Sequence, residues 1–468
     1  MGVTAMGLVF WPLSFLFWNR PQRLLELALF GGIFSAASVL TLGGMGLQPS
    51  AAPSFCFIAY IGLQVLLGAR FPMAGRVLHL CLPLLVIGAW TLAGSIILPR
   101  VFENQVLVWP QKLDAVGTQM LLAPSRGNYT QDCYVILNLV MFVLTSLFLM
   151  RREADLRRLL EIYILGGAVV CLIGAWEAAE RLAHVPFPET FLYSNPGWAI
   201  LNTQMTGPVP RINSTYPEPA ACATALTGVL YATVWSVLRG YGGWITRAVV
   251  VLSALTLLAT TSTTGYVALA AGIVMLFAYA IITHSPRLLR RLALFISVAV
   301  LFFGGATATL AVFAPDVIRA AQDVMTGTMD KKNSLSYKER SQKDADAMTA
   351  FYQTYGLGTG WGSNRSSSLL PGFLSTIGII GVAGLFFADW QLLRAAIVAI
   401  RASGRRQSTE AWVIEAAICA LLGRIMGSVI SSPSLGSLDF YILVAMLVAA
   451  TVRLRAAGRQ PASVGADG

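Results

Sequence analysis

An arginine and a glutamate lie in the motif RINSTYPEP, which runs directly into an apolar stretch. Arg211 opens the motif, Glu218 lies near its end, and Pro219 suits the first turn of the helix predicted to follow. A guanidinium group beside the free N–H groups of a helix N-terminus favours an anion such as phosphate. The motif predicts a phosphate site, and an arginine that binds lipid headgroups is the alternative that the residues leave open.

A second arginine lies in the segment SYKERSQKDADAMTAFYQTY. Ser336 and Glu339 have the spacing of a capping box, which predicts a helix from there to a stop at Gly356. One apolar stripe is predicted to lie on the membrane or on the transmembrane bundle: Ala347, Met348, Phe351 and Tyr355. A solvated helix face is predicted for the other charges, namely Lys338, Lys343, Asp344 and Asp346. Arg340 is set apart from them by the resemblance given below.

Alternating glycines follow this helix, at Gly356, Gly358, Gly360 and Gly362. No Gly-Lys-Ser/Thr comes after them, which excludes a phosphate-gripping P-loop and predicts tightly packed backbone leading into the membrane. Arg365 then stands in a polar run with no nearby acid, which can hold a diphosphate or sugar hydroxyls. The polar neighbours are Ser363, Asn364, Ser366, Ser367 and Ser368.

One further arginine falls inside an apolar stretch. Arg424 facing lipid would cost roughly 2.5 to 3.5 kcal/mol, so we expect it to face the interior of the bundle. Two partners are equally compatible with the sequence, an anionic ligand or Asp439 after the following loop.

Twelve apolar stretches must position these residues, each long enough to cross, or nearly cross, a bilayer as a helix. They are residues 24–44, 53–68, 77–97, 133–150, 159–178, 218–237, 247–260, 265–283, 292–313, 369–390, 411–430 and 438–453. The expected fold class is therefore all-α, a polytopic membrane protein with about 12 transmembrane helices in a single transmembrane domain over residues 1–468. Residues 6–18 are too short to span comfortably and are predicted to form an interfacial helix.

Arginine-rich loops fall on every second connection, which places them on the cytoplasmic side. Three longer loops then remain on the opposite side, at about 98–132, 179–217 and 314–368, and only these have room for a site. The loop 314–368 is the largest and contains the predicted helix.

Composition agrees with a membrane protein. A hydrophobic fraction of 56% with only 12% charged residues does not fit a soluble domain. The net charge of +11 indicates contact with anionic lipid, not nucleic acid. The six cysteines are interpreted as small apolar residues, and the three histidines are scattered, so no metal site is predicted.

Three motifs together resemble the superfamily of O-antigen ligases and polysaccharide repeat-unit polymerases of bacterial inner membranes. They are the stretch from Arg211 to Pro219, the stretch from Ser336 to Gly358, and GIIGV at Gly378 to Val382. Together they cover about a third of the chain, in a shared order and on a shared predicted side of the membrane.

The resemblance implies a metal-independent glycosyltransferase without cofactors, active on the periplasmic face. It would transfer a glycan from undecaprenyl diphosphate to another lipid-linked repeat unit, with a chain-length regulator and export machinery as possible partners. The implied catalytic residues are Arg211, Arg340 and Glu218. The predicted substrate-binding residues are Arg365, Ser363, Asn364, Ser366, Lys338 and Arg424.

Within the superfamily, ligases typically carry a histidine in the long loop, whereas this loop has none. The sequence GSNRSSS is similar to exopolysaccharide polymerases, so polymerisation is the favoured reaction. Ligase-type transfer to a lipid or protein acceptor, or a lipid-linked oligosaccharide flippase, are the alternatives. A transporter would more often show an internal repeat, and none is found.

Overall fold

The computed structural model describes residues 2–110, 118–206, 209–282, 286–313, 335–403, 408–432 and 434–457. The chain is mostly helical (71%), which confirms the all-α class. The helices are α1 (Ala5–Leu16), α2 (Pro21–Gly31), α3 (Ala51–Leu66), α4 (Ala74–Val101), α5 (Arg126–Phe148), α6 (Leu156–Ala183), α7 (Glu189–Leu192), α8 (Pro219–Arg239), α9 (Trp244–Ala259), α10 (Thr263–Ile282), α11 (Pro286–Phe313), α12 (Leu335–Gln353), α13 (Leu369–Ala402), α14 (Thr409–Ser431) and α15 (Leu438–Ala457).

The structure also contains short antiparallel strands outside the helices. β1 (Gly2–Val3), β2 (Leu40–Leu42) and β3 (Met45–Leu47) form one small sheet in that order, with Gly2 opposite Thr41 and Leu40 opposite Leu47. Two further pairs are β4 (Leu107–Val108) with β5 (Met120–Leu121), and β6 (Met205–Thr206) with β7 (Val209–Pro210). All seven strands lie in segments that connect helices or precede the first one.

Eight of the described helices are long and apolar enough to cross a membrane: α4, α5, α6, α8, α10, α13, α14 and α15. The shorter apolar helices α1, α3 and α9 have 10–17 residues. The membrane class is therefore supported, and the number of about twelve spans stays a prediction. The large loop is described only from residue 335 onward, so its predicted part at 314–334 lies outside the described residues.

The predicted helix over residues 24–44 is wrong. α2 ends at Gly31, and the chain continues through turns to β2. The backbone beyond Gly31 bonds to a distant loop instead of continuing the helix. The Ala36 N–H donates to the Thr215 carbonyl at 3.1 Å, and the Ala36 carbonyl accepts from the Asn195 N–H at 3.1 Å. Long-range pairing has replaced the last turns of this helix.

The described connections form two groups, and the alternating path of the chain through a membrane stays a prediction. We call residues 17–20, 67–73, 149–155 and 240–243 the arginine end. Contacts join these segments, including Arg151 over the Phe71 ring at 4.4 Å and the Arg453 guanidinium donating to the Arg151 and Ala154 carbonyls at 2.7 and 3.0 Å. We call residues 32–50, 102–110, 118–125, 184–206, 209–218 and 354–368 the loop end.

α13 is broken at Gly378, whose backbone is non-helical at φ 68° and ψ −174°. The glycine-rich segment 356–362 fills the break. Thr359 and Gly360 donate their N–H groups to the carbonyls of Ser375 and Thr376 at 2.7 and 3.0 Å, and the Ile379 N–H donates to the Gly356 carbonyl at 2.9 Å. The predicted close packing of these glycines is confirmed, since a Cβ on Gly358 would come within 2.6 Å of the Thr376 carbonyl oxygen.

Candidate functional site

The structure brings together the three residues predicted to be catalytic. The Arg340 guanidinium on α12 lies 3.7 Å from the Glu218 carboxylate, which stands at the start of α8. Burial lowers the pKa of Arg211, and the neighbouring positive charge of Arg340 lowers that pKa further, whereas Glu218 raises it. Two guanidinium groups and one carboxylate thus share one patch, which we call the arginine–glutamate site.

Arg211 is fixed within this site by uncharged partners. Its guanidinium donates to the Gln204 side-chain oxygen at 2.7 Å and to the Thr260 carbonyl at 3.4 Å. Its backbone N–H also bonds to the Gln204 carbonyl, at 3.0 Å. Because neither side-chain partner carries a full charge, the positive charge of Arg211 stays available to an anion.

Glu218 occupies the N-cap position of α8, yet its side chain makes no capping hydrogen bond. Pro219 follows at the first helical position, as predicted. The carboxylate instead reaches across to Arg340, with 29% of its side chain exposed against 41% for Arg340. The Glu218 side chain therefore does not cap α8.

The loop between Arg211 and Glu218 is held by a buried acid that the sequence analysis did not identify. Glu177 on α6 accepts from the N–H groups of Asn213 and Ser214 at 2.9 and 2.6 Å and from the Arg181 guanidinium at 2.7 Å. Ser214 has a left-handed backbone at φ 54°, and its hydroxyl donates to the Val170 carbonyl at 2.7 Å. The i,i+4 spacing of Glu177 and Arg181 was the only signal in the sequence, and it says nothing about the distant loop.

α12 covers Leu335–Gln353, which confirms a helix in this segment. Its packed face includes Ala347 and Ala350, both almost fully buried, whereas Tyr355 is 87% exposed. The predicted stripe is confirmed for Ala347, whereas Tyr355 lies beyond the end of the helix. The chain turns to left-handed backbone at Tyr355 and Gly356, which carries that side chain away from the helix face.

The predicted solvated face of α12 is wrong for its aspartates. Asp346 accepts from the Trp109 indole N–H at 3.0 Å, and Asp344 accepts from the Ser367 and Ser368 N–H groups at 2.7 and 3.1 Å. Lys343 lies over the Trp109 ring at 5.3 Å. Lys338 is exposed and lies two residues before Arg340 on α12.

The polar run around Arg365 divides into buried and exposed members. Ser363, Asn364 and Ser366 are buried. Ser363 accepts from the Asn128 amide at 2.7 Å, and Ser366 donates to the Ser368 carbonyl at 2.9 Å. The Asn364 side-chain oxygen accepts from the Trp109 N–H at 2.9 Å. These three side chains stabilise the loop through bonds within the protein.

Arg365 itself is exposed at the loop end, and its backbone N–H donates to the Trp109 carbonyl at 2.8 Å. No salt bridge involves Arg365 within the described ranges, in agreement with the absence of a nearby acid in the sequence. Trp109 links this loop to α12 through Asp346, yet the structure gives no contact between Arg365 and the arginine–glutamate site. Its predicted role in substrate binding stays a prediction.

Arg424 is paired inside the bundle, where it lines a cavity together with Asp439 and with Tyr216 of the loop between Arg211 and Glu218. Its guanidinium donates to the Asp439 carboxylate and, at 2.8 Å, to the Ser437 hydroxyl. Of the two partners open from the sequence, the structure shows Asp439. The predicted substrate contact of Arg424 has no support in this geometry.

The chemistry available here is that of anion binding beside a carboxylate. No group of three or more metal-ligating side chains is found among the described residues. No protein-family model matches the chain, and no curated protein matches it. The arrangement of Arg211, Arg340 and Glu218 is therefore the main observation from which a function can be argued.

Proposed function

We propose that the protein polymerises lipid-diphosphate-linked oligosaccharide repeat units at the loop end, which faces the periplasm. One observation carries the proposal: Arg340, from a distant part of the chain, lies 3.7 Å from Glu218 and close to Arg211, the two charged residues of the motif RINSTYPEP. The sequence motifs that contain them are those that resemble O-antigen and exopolysaccharide polymerases. Undecaprenyl diphosphate is the carrier that this resemblance implies.

The two guanidinium groups suit a diphosphate leaving group. Charge on the diphosphate increases as its bond to the sugar breaks, and preorganised donors stabilise that charge best where water is partly excluded. Arg211 is half-buried and held by hydrogen bonds, so it supplies a fixed charge, while Arg340 is partly exposed and can meet the incoming lipid-linked donor. The forked donors of arginine match phosphate oxygens in pairs.

Glu218 supplies the base. At 3.7 Å its bond with Arg340 is long, and partly exposed ion pairs of this kind contribute about 0 to 1 kcal/mol. A diphosphate that binds Arg340 can therefore release the carboxylate. Glu218 then accepts the proton of the acceptor hydroxyl as the acceptor oxygen bonds to the anomeric carbon and the diphosphate leaves with the electrons of the broken C–O bond.

Transport is the weaker alternative. A transporter uses the free backbone ends of a broken helix to bind its substrate. The break in α13 does not offer such ends, because the carbonyls of Ser375, Thr376 and Ile377 accept hydrogen bonds from Thr359, Gly360 and the Trp90 indole. No specific observation favours a ligase over a polymerase.

The test incubates purified protein with a lipid-linked repeat unit and separates the products by size. We expect a ladder of products from the native chain, and its loss in Arg211→Ala and in Arg340→Ala. Arg126→Ala is the matched control, because Arg126 is exposed on the first turn of α5 beside the loop end. A native protein that makes no ladder, or variants that make a normal one, would contradict the proposal, and a single transfer to another acceptor would indicate a ligase.

A further inference from the structure

Asp344 lies four residues after Arg340 on α12, so the two side chains project from the same face of the helix. An aspartate at this spacing is the usual partner of an arginine. No salt bridge joins Asp344 to Arg340 among the residues that the structure describes, and Arg340 instead approaches Glu218. The reason lies in what Asp344 contacts.

The Asp344 carboxylate is bound to the N-terminus of α13. One oxygen accepts from the Ser367 and Ser368 N–H groups at 2.7 and 3.1 Å, and the other accepts from the Ser368 hydroxyl. Ser368 is the N-cap residue of α13, and its own side chain makes no capping bond. A carboxylate at this position satisfies free N–H groups and is favoured by the helix dipole.

This contact has two effects on Arg340. It fastens α12 to α13 one helical turn away from Arg340. It also engages the Asp344 carboxylate, which would otherwise be placed to pair with Arg340. Asp346 adds a second attachment, because it accepts from the Trp109 indole at 3.0 Å. The guanidinium of Arg340 is thereby directed to the arginine–glutamate site with its charge available.

We propose that Asp344 is a positioning residue for Arg340: by binding the N-terminus of α13 it holds α12 in place and leaves Arg340 free to bind the diphosphate. This inference rests on the proposed function and names a residue that acts through Arg340 without touching substrate. It also assigns a role to two serines after Arg365, because Ser367 and Ser368 donate hydrogen bonds to the Asp344 carboxylate.

A double-mutant cycle separates positioning from general stability, with kcat and KM measured in the ladder assay. We expect Asp344→Ala to lower kcat/KM by about 100-fold, as for a catalytic group displaced by an ångström. In an Arg340→Ala background the same change should cost nothing more, because the group that it positions is already gone. Asp344→Asn should keep most of the activity, since its amide can still bond to the Ser367 and Ser368 N–H groups and to the Ser368 hydroxyl.

Glu339→Gln is the control, because it removes one exposed negative charge from the same helix and should leave kcat/KM unchanged. Equal losses from Asp344→Ala with and without Arg340 would overturn the inference, as would full activity of Asp344→Ala. If Asp344→Ala does not fold, Ser368→Ala removes the α13 hydroxyl that donates to Asp344. Its effect is then compared between the native and Arg340→Ala backgrounds in the same way. Full activity of Arg340→Ala alone would instead overturn the proposed function.

Discussion

Arg340 lies close enough to Arg211 for its positive charge to lower the Arg211 pKa, and the fold keeps the two residues there. Two like charges in one place are costly unless something offsets them, and here Glu218 does so through a 3.7 Å contact. The charge of the arginine–glutamate site is therefore neutralised only in part, because two guanidinium groups face one carboxylate. A phosphate group would complete the balance better than the carboxylate does.

Replacing Glu218 by glutamine tests this balance. The variant loses the base, which typically contributes about 10² to 10⁴ in rate, so we expect kcat for polymer formation to fall. The donor should bind at least as tightly, because the carboxylate that competes with it for Arg340 has lost its charge. Measuring kcat and KM with the lipid-linked donor separates the two effects.

Glu103→Gln serves as the control for Glu218→Gln, since Glu103 is an exposed carboxylate at the loop end. If Glu218→Gln has a normal kcat, or if its only defect is low abundance in the membrane, Glu218 is not the base.

At the scale of elements, the glycine-rich segment 356–362 and the break in α13 act as one unit. Gly378 has a backbone conformation that is essentially restricted to glycine. A Cβ on Gly378 would also collide with the backbone carbonyls of Leu357 and Gly356. The break thus fixes where the segment lies, and the segment precedes the serines that bind Asp344.

We therefore expect Gly378→Ala to destabilise the protein by about 1 to 3 kcal/mol from backbone conformation, with the collision adding to it. The measurement is the apparent melting temperature of the purified protein in detergent. Gly62→Ala is the matched control, because Gly62 lies within α3 and its added Cβ would meet nothing within 4 Å. Equal melting temperatures for Gly378→Ala and the native chain would show that the break tolerates a side chain.

Helices were predictable from the sequence where they are long, continuous and apolar. The predicted stretch 77–97 lies within α4, and 411–430 lies within α14. The early end of α2 was not predictable, because the competing bond partner of Ala36 is Thr215, far along the chain. For the candidate site, the motifs that carry the resemblance pointed to Arg211, Glu218 and Arg340, whereas Glu177 and Asp344 bind segments that the sequence does not show to be neighbours.

Across the whole molecule, arginines that flank the arginine end also form ion pairs and hydrogen bonds between helices. Arg239 pairs with Glu415 at 2.9 Å, Arg158 pairs with Glu26 at 2.7 Å, and Arg455 donates to the Ala395 carbonyl at 2.8 Å. Arg239 and Arg455 lie in the last turns of α8 and α15, where cations are favoured. The arginines whose uneven distribution predicts the orientation thus also help to hold the helices of the bundle together.

Orientation is testable with single cysteines in a chain whose six native cysteines are replaced by alanine. Tyr352→Cys on α12 should react with a membrane-impermeant maleimide on intact cells, because that side chain is exposed near the loop end. Glu153→Cys at the arginine end should react only after the cells are opened. The reverse pattern would invert the proposed topology, and labelling of both on intact cells would contradict the alternating path.

The short length of α2 has a consequence for where the reaction takes place. Its 11 residues extend about 16 Å, roughly half of a 30 Å hydrocarbon core. Beyond Gly31 the chain is hydrogen-bonded at Ile33 and Ala36 to Thr215, in the loop that carries Arg211 and Glu218. Under the proposed function, sugars joined beside this loop would react below the headgroups, so a prenyl carrier could deliver its cargo sideways while its tail stays dissolved among the acyl chains.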